Sequence, residues 1–451
     1  MSDRSRADAV YDALLARAGE RWVQPRKERT ARLLEYLDDP QRTYRVIHVT
    51  GTNGKTSTSR LAESIVRAHG LRTGLFTSPH LERFTERIII DGEPIDDAAV
   101  SAAWEEIEPF VGLVDGELEA AGDEPLTFFE LLTVLAFVAF ADAPVDVAVI
   151  EVGMGGAWDS TNTADGDVAV FAPIDIDHAD RLGETIAEIA AVKAGIVKDG
   201  AIAVSARQHP DALAALRDAA SARHATLAVE PDGFAVTAQR LAVGGQQLSV
   251  RGLAGTYDDL YLPLYGAHQG HNAALAIAAV EALIGGGAQA LAPDVVAEGL
   301  AQVTSPGRLQ LLGVAPTVLV DAAHNPHGAR SLAAALRESF DFDEWGLVLG
   351  VFADKDADGI VAELAGTATH VFATQLQSDR AESADRIADL VEEHGTPVTV
   401  HGDLDEAAEA ARAWAAAADR RAVVIAGSVV LAGEAIQLAG AQTWKDGWRD
   451  E

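Results

Sequence analysis

The segment YRVIHVT (44–50) runs into GTNGKTS (51–57), and a helical stretch follows from Thr56 to Ala68. A β-branched run that turns on glycines into a helix is the opening unit of an α/β sheet. It limits the fold of this chain more than any other feature. In Gly51-Thr52-Asn53-Gly54-Lys55-Thr56-Ser57 the glycines let several backbone N–H groups converge on one phosphate. The helix N-terminus adds its dipole, and Lys55 brings a cation to the outer phosphates. Thr56 or Ser57 is in place to reach a metal ion or a phosphate oxygen. Val49 stands five positions before Gly54, so the loop is a shortened form of the G-x₄-G-K-[ST] pattern. The plain alternative is a glycine turn with a chance lysine; the flanking strand and helix favour phosphate.

The alternation continues. Strands are predicted at 73–78, 86–90, 146–152 and 167–172, a buried helix at 127–141, and an acidic helix over 96–122. Residues 226–262, short β-like pieces around glycines, predict a small side sheet, and helices follow at 268–284 and 292–302. Thr304-Ser305-Pro306-Gly307 reads as a linker. Beyond it βα units restart, with strands at 317–321, 346–351, 369–374 and 422–427. A chain of 451 residues exceeds the roughly 250–300 over which one core grows. The expectation is therefore two domains. Residues 1–303 would be a P-loop NTPase-like, doubly wound, mostly parallel α/β sheet with a small side sheet. Residues 308–451 would be a smaller α/β Rossmann-like domain.

Composition narrows the function. The net charge is −34, with acid spread along the chain, a field that repels nucleic acid and anionic membranes; neither is an expected partner. Lys27, Lys55, Lys193, Lys198, Lys355 and Lys445 are the only lysines. Such acid-rich, lysine-poor composition resembles that of proteins from salt-saturated cytoplasm, where a Debye length of about 3 Å at 1 M salt screens surface self-repulsion. With no cysteine, disulfides, thiol nucleophiles and zinc–thiolate sites are excluded. The N-terminus lacks a signal peptide's apolar core. The longest apolar run, 128–140, is interrupted by Glu130 and Thr133 and is too short for about 30 Å of hydrocarbon. A cytoplasmic protein is expected.

Other candidates cluster at strand ends. Glu151 closes an apolar strand before Gly153-Met154-Gly155-Gly156, where a carboxylate beside a phosphate loop binds Mg²⁺; a solvated strand-end acid is the alternative. His178, in Asp175-Ile176-Asp177-His178, is a possible metal ligand, although a lone histidine seldom is one. Lys193 falls among apolar residues on a helix, where a bare ammonium is costly and a salt bridge is the plain reading. Asp321-Ala322-Ala323-His324-Asn325-Pro326 lies between a strand and a helix, where open α/β sheets bind ligands. Asp321 suits a ribose hydroxyl, His324 and Asn325 a polar substrate, and Asn325-Pro326 also reads as a helix N-cap. Arg308, just past the linker, is placed to reach a phosphate across a cleft.

In order along the chain, HVTGTNGKTS, TSPHL with ERIII, TFFE, IEVGMGGAWDSTN, DIDHADRLGETIAEIAAVKAGI, HQGHNAA, SPGRL, DAAHNP, GVFADKD and IAGSVVLAGE resemble the folylpolyglutamate synthase and dihydrofolate synthase family of the Mur ligase superfamily. The resemblance implies an ATP-dependent amide ligase. ATP phosphorylates a pterin substrate's carboxylate, and L-glutamate's amine displaces the phosphate. It implies ATP on Gly51–Ser57, with Asn272, Arg308 and Asp321 as further contacts. It implies two Mg²⁺ sites, one at Ser78 and Glu151 and one at His178. It makes Lys193 a lysine carbamylated by CO₂, which removes the difficulty of a buried ammonium. Phe128, Phe129 and Glu130 would lie near the pterin, His324 and Ser428 near glutamate. Lys55, Lys193, His178 and His324 would be catalytic. Two departures stand out: Val192 where the family often has Glu, and Ala157-Trp158 where Arg is common. No role follows for the acidic 92–124 stretch, and an ion pair is the reading for Lys355.

The expected substrates are a folate or dihydropteroate together with L-glutamate, handled by a monomer; no motif decides between the pterin acceptors, and a corrinoid or deazaflavin-type acceptor also fits. The competing readings are a Mur-type ligase acting on a UDP-sugar peptide and a nucleotide switch without ligase activity; DAAHNP in a second domain argues against the switch. The composition also makes a prediction of its own. Circular dichroism should show structure lost as KCl is lowered, and a chain equally folded in dilute buffer would refute the high-salt reading.

Overall fold

The computed structural model describes residues 3–19 and 26–444. Strand β1 (Arg45–Thr50) is buried along all but its first residue. Its side chains alternate between two cores: Ile47 and Val49 face one, Val46 the other. That two-sided burial is what a continuous apolar run in a parallel sheet means.

Around β1 an eight-stranded sheet forms from β2 (Thr73–Phe76), β3 (Ile88–Ile90), β4 (Glu93–Pro94), β5 (Val147–Glu151), β6 (Val168–Phe171), β7 (Ile202–Ser205) and β8 (Thr226–Val229). The order is β4-β3-β2-β5-β1-β6-β7-β8, parallel except for the β2–β3–β4 edge. Two details differ from the sequence reading. Residues Phe84–Arg87 form a 3₁₀ turn, so only Ile88–Ile90 of the 86–90 segment is strand. Residues Thr226–Val229 pair in parallel with β7 as the edge of the main sheet. The side sheet is therefore β9 (Ala235–Ala242), β10 (Gly245–Arg251) and β11 (Thr256–Leu262), an antiparallel meander.

The Lys55–Ala68 and Ala267–Gly285 helices fill the first core between main and side sheets. The Phe128–Asp142 helix fills the second, beneath the Asp97–Ala120 helix. The acidic stretch has a structural use: Arg17 pairs with Asp115, Arg32 with Glu117 at 2.9 Å, and Arg29 with Asp123 at 3.7 Å. These pairs fasten the N-terminal helices Asp3–Leu15 and Glu28–Tyr36 over the second core.

From residue 310 a second sheet forms: β12 (Gln310–Val314), β13 (Thr317–Val320), β14 (Glu344–Leu349), β15 (His370–Ala373), β16 (Val398–Val400) and β17 (Arg421–Ala426). Its order is β12-β13-β17-β14-β15-β16, parallel except for β12. The Thr304–Gly307 segment joins the two lobes, and Ser305 Oγ lies 3.3 Å from Ser57 Oγ of the phosphate loop.

Candidate active site

The C-terminal ends of β1, β5, β6 and β13 converge on one cavity of about 540 Å³. This is where parallel sheets place ligands. The 51–57 loop forms its floor and is fixed from three directions. Thr52 N donates to Pro173 O at 2.8 Å and Thr52 Oγ1 to Asp175 O at 2.9 Å, at the end of β6. Lys193 Nζ donates to Gly51 O at 2.8 Å. Gly54 adopts φ +85°, and a Cβ there would meet Asn272 Oδ1 at 2.7 Å, so only glycine fits. Lys55, at the start of the helix, donates to Thr52 O at 3.2 Å.

Glu151 is 1% exposed at the end of β5. Thr56 Oγ1 donates to its two oxygens at 3.0 and 2.9 Å, and the Ser78 N–H also points to it. Burial raises its pKa, against the pull of Lys55. Hydroxyl and carboxylate oxygens gathered beside a phosphate loop are the donor chemistry of a hard cation.

The salt bridge that was the plain alternative for Lys193 is not formed among the described residues; the ammonium's partner is a carbonyl. Burial, reinforced by Lys55, pushes its pKa down to about 7. The amine is thus available as a free base near neutral pH, unlike an ordinary lysine.

His178 sits in the left-handed region at φ 53°, heading a short helical turn at the cavity edge. Burial lowers its pKa to about 4, so the imidazole is neutral and able to ligate. His324 is held by Nδ1, 2.9 Å from Ala322 O. A carbonyl only accepts, so Nδ1 carries the proton and Nε2 presents a lone pair. Burial lowers this pKa too, to about 4.

Arg308, Asp321 and Ser428 all line the cavity from the smaller lobe's side. Both Asp321 oxygens already accept backbone N–H groups, from Leu309 and Ala323. Ser428 caps the Val429–Ala441 helix through Val430 N.

The TFFE residues divide. Phe129 lines the cavity and packs its ring on Gly153, where a Cβ would come within 2.4 Å. Glu130 lines it too, but its carboxylate closes a capping box with Thr127 and lies 3.4 Å from Arg29. Phe128 is core: it turns into the second hydrophobic cluster and does not reach the cavity.

Several wall residues were given no role by the sequence. Arg60, one turn beyond Thr56, Asp159 on the strand-end loop after Glu151, His80, Arg87 and Arg380 all line the cavity. Helical periodicity from Thr56 would have found Arg60; His80, Arg87 and Asp159 lie in the TSPHL, ERIII and IEVGMGGAWDSTN segments that carry the resemblance, and Arg380 is brought in by tertiary packing.

Residues 49–280 match the Mur ligase middle domain, and residues 307–429 match the Mur ligase glutamate ligase domain. The chain is 47% identical to a dihydrofolate synthase/folylpolyglutamate synthase of Mycobacterium tuberculosis over 93% of this chain and 92% of that protein. The chain belongs to the folylpolyglutamate synthase/dihydrofolate synthase family of Mur ligases. A solved M. tuberculosis folylpolyglutamate synthase complexed with ADP superposes with TM-score 0.93 at 46% identity, over 97% of this chain and 99% of that one. Escherichia coli FolC in complex with DHPP and ADP superposes with TM-score 0.83 at 29% identity, over 96% and 98%. Family membership accounts for the two-lobed architecture.

His324 should stay neutral well below the ordinary histidine range. Its imidazole ¹⁵N shifts are expected to remain those of the Nδ1–H tautomer from pH 8 down to pH 5, protonation setting in only near pH 4. A titration centred at 6.5 would contradict the buried, carbonyl-anchored ring.

Proposed function

We propose that this protein is an ATP-dependent amide ligase that adds L-glutamate to a pterin carboxylate, that of dihydropteroate, of a folate, or of both. One observation carries the reading: a phosphate loop on one lobe and the Asp321–His324 strand end of a second lobe face each other across one cavity. The match to folate enzymes over nearly the whole of both chains favours this acceptor over a UDP-sugar peptide.

ATP sits on Gly51–Ser57, with Lys55 on its outer phosphates, Asn272 and Arg308 as further contacts and Asp321 on a ribose hydroxyl. The substrate carboxylate attacks the γ-phosphorus, ADP leaves, and an acyl phosphate forms. The amine of glutamate then attacks the carbonyl carbon, the C–N bond forms, and phosphate departs with its electron pair. His324 Nε2, a lone pair on the amine's side, takes up an amine proton. Phe129 stacks on the pterin, with Glu130 beside it, and Ser428 donates to glutamate. Residues 1–303 thus activate the carboxylate and residues 308–451 deliver the amine. One chain supplies both halves, so a monomer suffices, and its place is the cytoplasm. Among the described residues no helix is long and apolar enough to cross a membrane.

Ser78 and Glu151 would hold a Mg²⁺ ion, and His178 a second. Mg²⁺ at nucleotide sites takes one or two protein oxygens and completes its shell with phosphate and water oxygens, which suits the sparse donor set here. Bound there, Mg²⁺ would neutralise charge on the transferring phosphoryl group. The free-base form of Lys193 is the nucleophile that CO₂ requires. The neutral amine nitrogen bonds to carbon, one proton leaves, and the neutral side chain becomes a carbamate anion, a charge that would complement Mg²⁺ bound in the same cavity.

Lys55→Ala should lower ADP release with dihydropteroate or tetrahydrofolate plus L-glutamate by at least roughly 100-fold; unchanged turnover would remove the phosphate assignment. Lys193→Ala should be nearly inactive and partly restored by short carboxylic acids. In the wild type, ¹³CO₂ should give a carbamate resonance that grows as pH rises through about 7. Wild-type activity in the variant would sink the carbamate.

A further inference from the structure

Polar side chains join the lobes, among them Asn53, whose Nδ2 lies 2.9 Å from His327 Nδ1 of the smaller lobe. Asn53 and Asp177 belong to the larger lobe, Asn325 and Lys355 to the smaller. Asn53 Nδ2 donates to Asn325 Oδ1 at 3.3 Å, and Asn325 Nδ2 donates back to Asn53 Oδ1 at 3.1 Å. Asn325 Nδ2 also reaches Asp177 Oδ2 at 3.3 Å. Lys355 Nζ donates to Asp177 Oδ1 at 2.9 Å.

These are not surface contacts of the kind that contribute little. Asn325 is 4% exposed, and the side chains of Asp177 and Lys355 are each 13% exposed. Removing one partner would strand the other in a poorly solvated wall. Asn325 is also fixed within its own lobe, because its Oδ1 caps the Pro326–Ser339 helix through Gly328 N at 2.8 Å. It therefore transmits the position of a whole helix, not of a loose side chain. At the other end, Asn53 lies inside the phosphate loop, so one side chain borders the nucleotide seat and also docks the second lobe.

We propose that the Asn53–Asn325 amide pair and the Asp177–Lys355 ion pair are a two-point tether. It positions the amine-delivering lobe on the carboxylate-activating lobe, so that the activated carbonyl meets glutamate before water. This rests on the ligase reading above. An acyl phosphate has two fates. Attack by the amine forms C–N and expels phosphate. Attack by water forms C–O, expels phosphate and regenerates the carboxylate, with ATP spent and no amide made. Orientation selects between them, since holding a nucleophile at the reacting carbon is worth orders of magnitude in effective concentration. Asp177 and Asn325 are thus positioning residues: they act through the placement of the smaller lobe.

Two variants separate this from a structural role. Asn325→Ser keeps an oxygen for the helix cap and removes the amide; Asp177→Asn keeps the shape and removes the charge. With ATP, a pterin acceptor and L-glutamate, the wild type should release one ADP per amide formed. In both variants ADP should exceed amide several-fold, and KM for glutamate should rise. Hydroxylamine trapping of the acyl phosphate should stay near wild type, and Lys355→Arg should keep the ratio near one. Lobe geometry gives a readout independent of activity. The chain has no cysteine, so spin labels at Ser221→Cys and Glu409→Cys, both exposed and on opposite lobes, report one distance. It should be narrow in the nucleotide-bound wild type and broad in both variants. Variants that make one amide per ADP with an unchanged distance would overturn the tether. If the wild type itself shows no glutamate-dependent ADP release, the ligase reading fails instead, and the label distances alone decide the tether.

Discussion

A strand buried on both faces can offer the solvent only its end. β1 is such a strand, and its exit is the 51–57 loop. The loop's shape then depends on neighbours that the sheet order dictates: the end of β6 holds Thr52, and Lys193 holds the Gly51 carbonyl. With β5 as the other neighbour of β1, Glu151 must emerge beside the loop. Phosphate cradle, carboxylate and buried lysine are therefore one consequence of sheet order.

Charge is distributed against the trend of the whole chain. The net charge is −34, yet three of the six lysines, Lys55, Lys193 and Lys355, line the active-site cavity, together with Arg60, Arg87, Arg308 and Arg380. Six carboxylates, Glu86, Glu130, Glu151, Asp159, Asp177 and Asp321, line the same cavity, so its wall is close to charge balance and anionic ligands meet far less repulsion there than from the surface. A nucleotide, a pterin carboxylate and glutamate are all anions. The sparing use of lysine elsewhere sharpens the contrast.

What the sequence made legible was local. The loop, the buried helix at 127–141 and the βα restart after residue 307 carry their signals within a few residues, and all are present. Thr226–Val229 shows the limit: a four-residue strand reads the same in either sheet, and only its register against β7 assigns it. Phe128 and Phe129 show another. Adjacent helical residues point about 100° apart, and which one faces a cavity depends on a packing angle that no motif records. The ion pair expected of Lys355 exists, but its partner lies 178 residues earlier on the other lobe. Read separately, Asp177 was part of a strand-end motif and Lys355 a structural cation; only the fold makes them one contact.

That contact bears on why the chain has two lobes at all. Activating a carboxylate and delivering an amine make opposed demands. The first needs a rigid, charge-complementary seat, which a strand end and a helix N-terminus provide at no cost in reorganisation. The second needs an opening wide enough to admit an amino acid, through which water also passes. A single rigid site would have to compromise between them. Placing the amine groups on a separate lobe lets the seat remain fixed while the opening varies, and the entropy of that freedom must be recovered at the moment of reaction. Contacts that are specific, polar and few suit this purpose better than a broad apolar interface, because they can break when product leaves. The amide pair at Asn53 and the ion pair at Asp177 have that character, and both sit within a few residues of the groups assigned to the nucleotide and the metal.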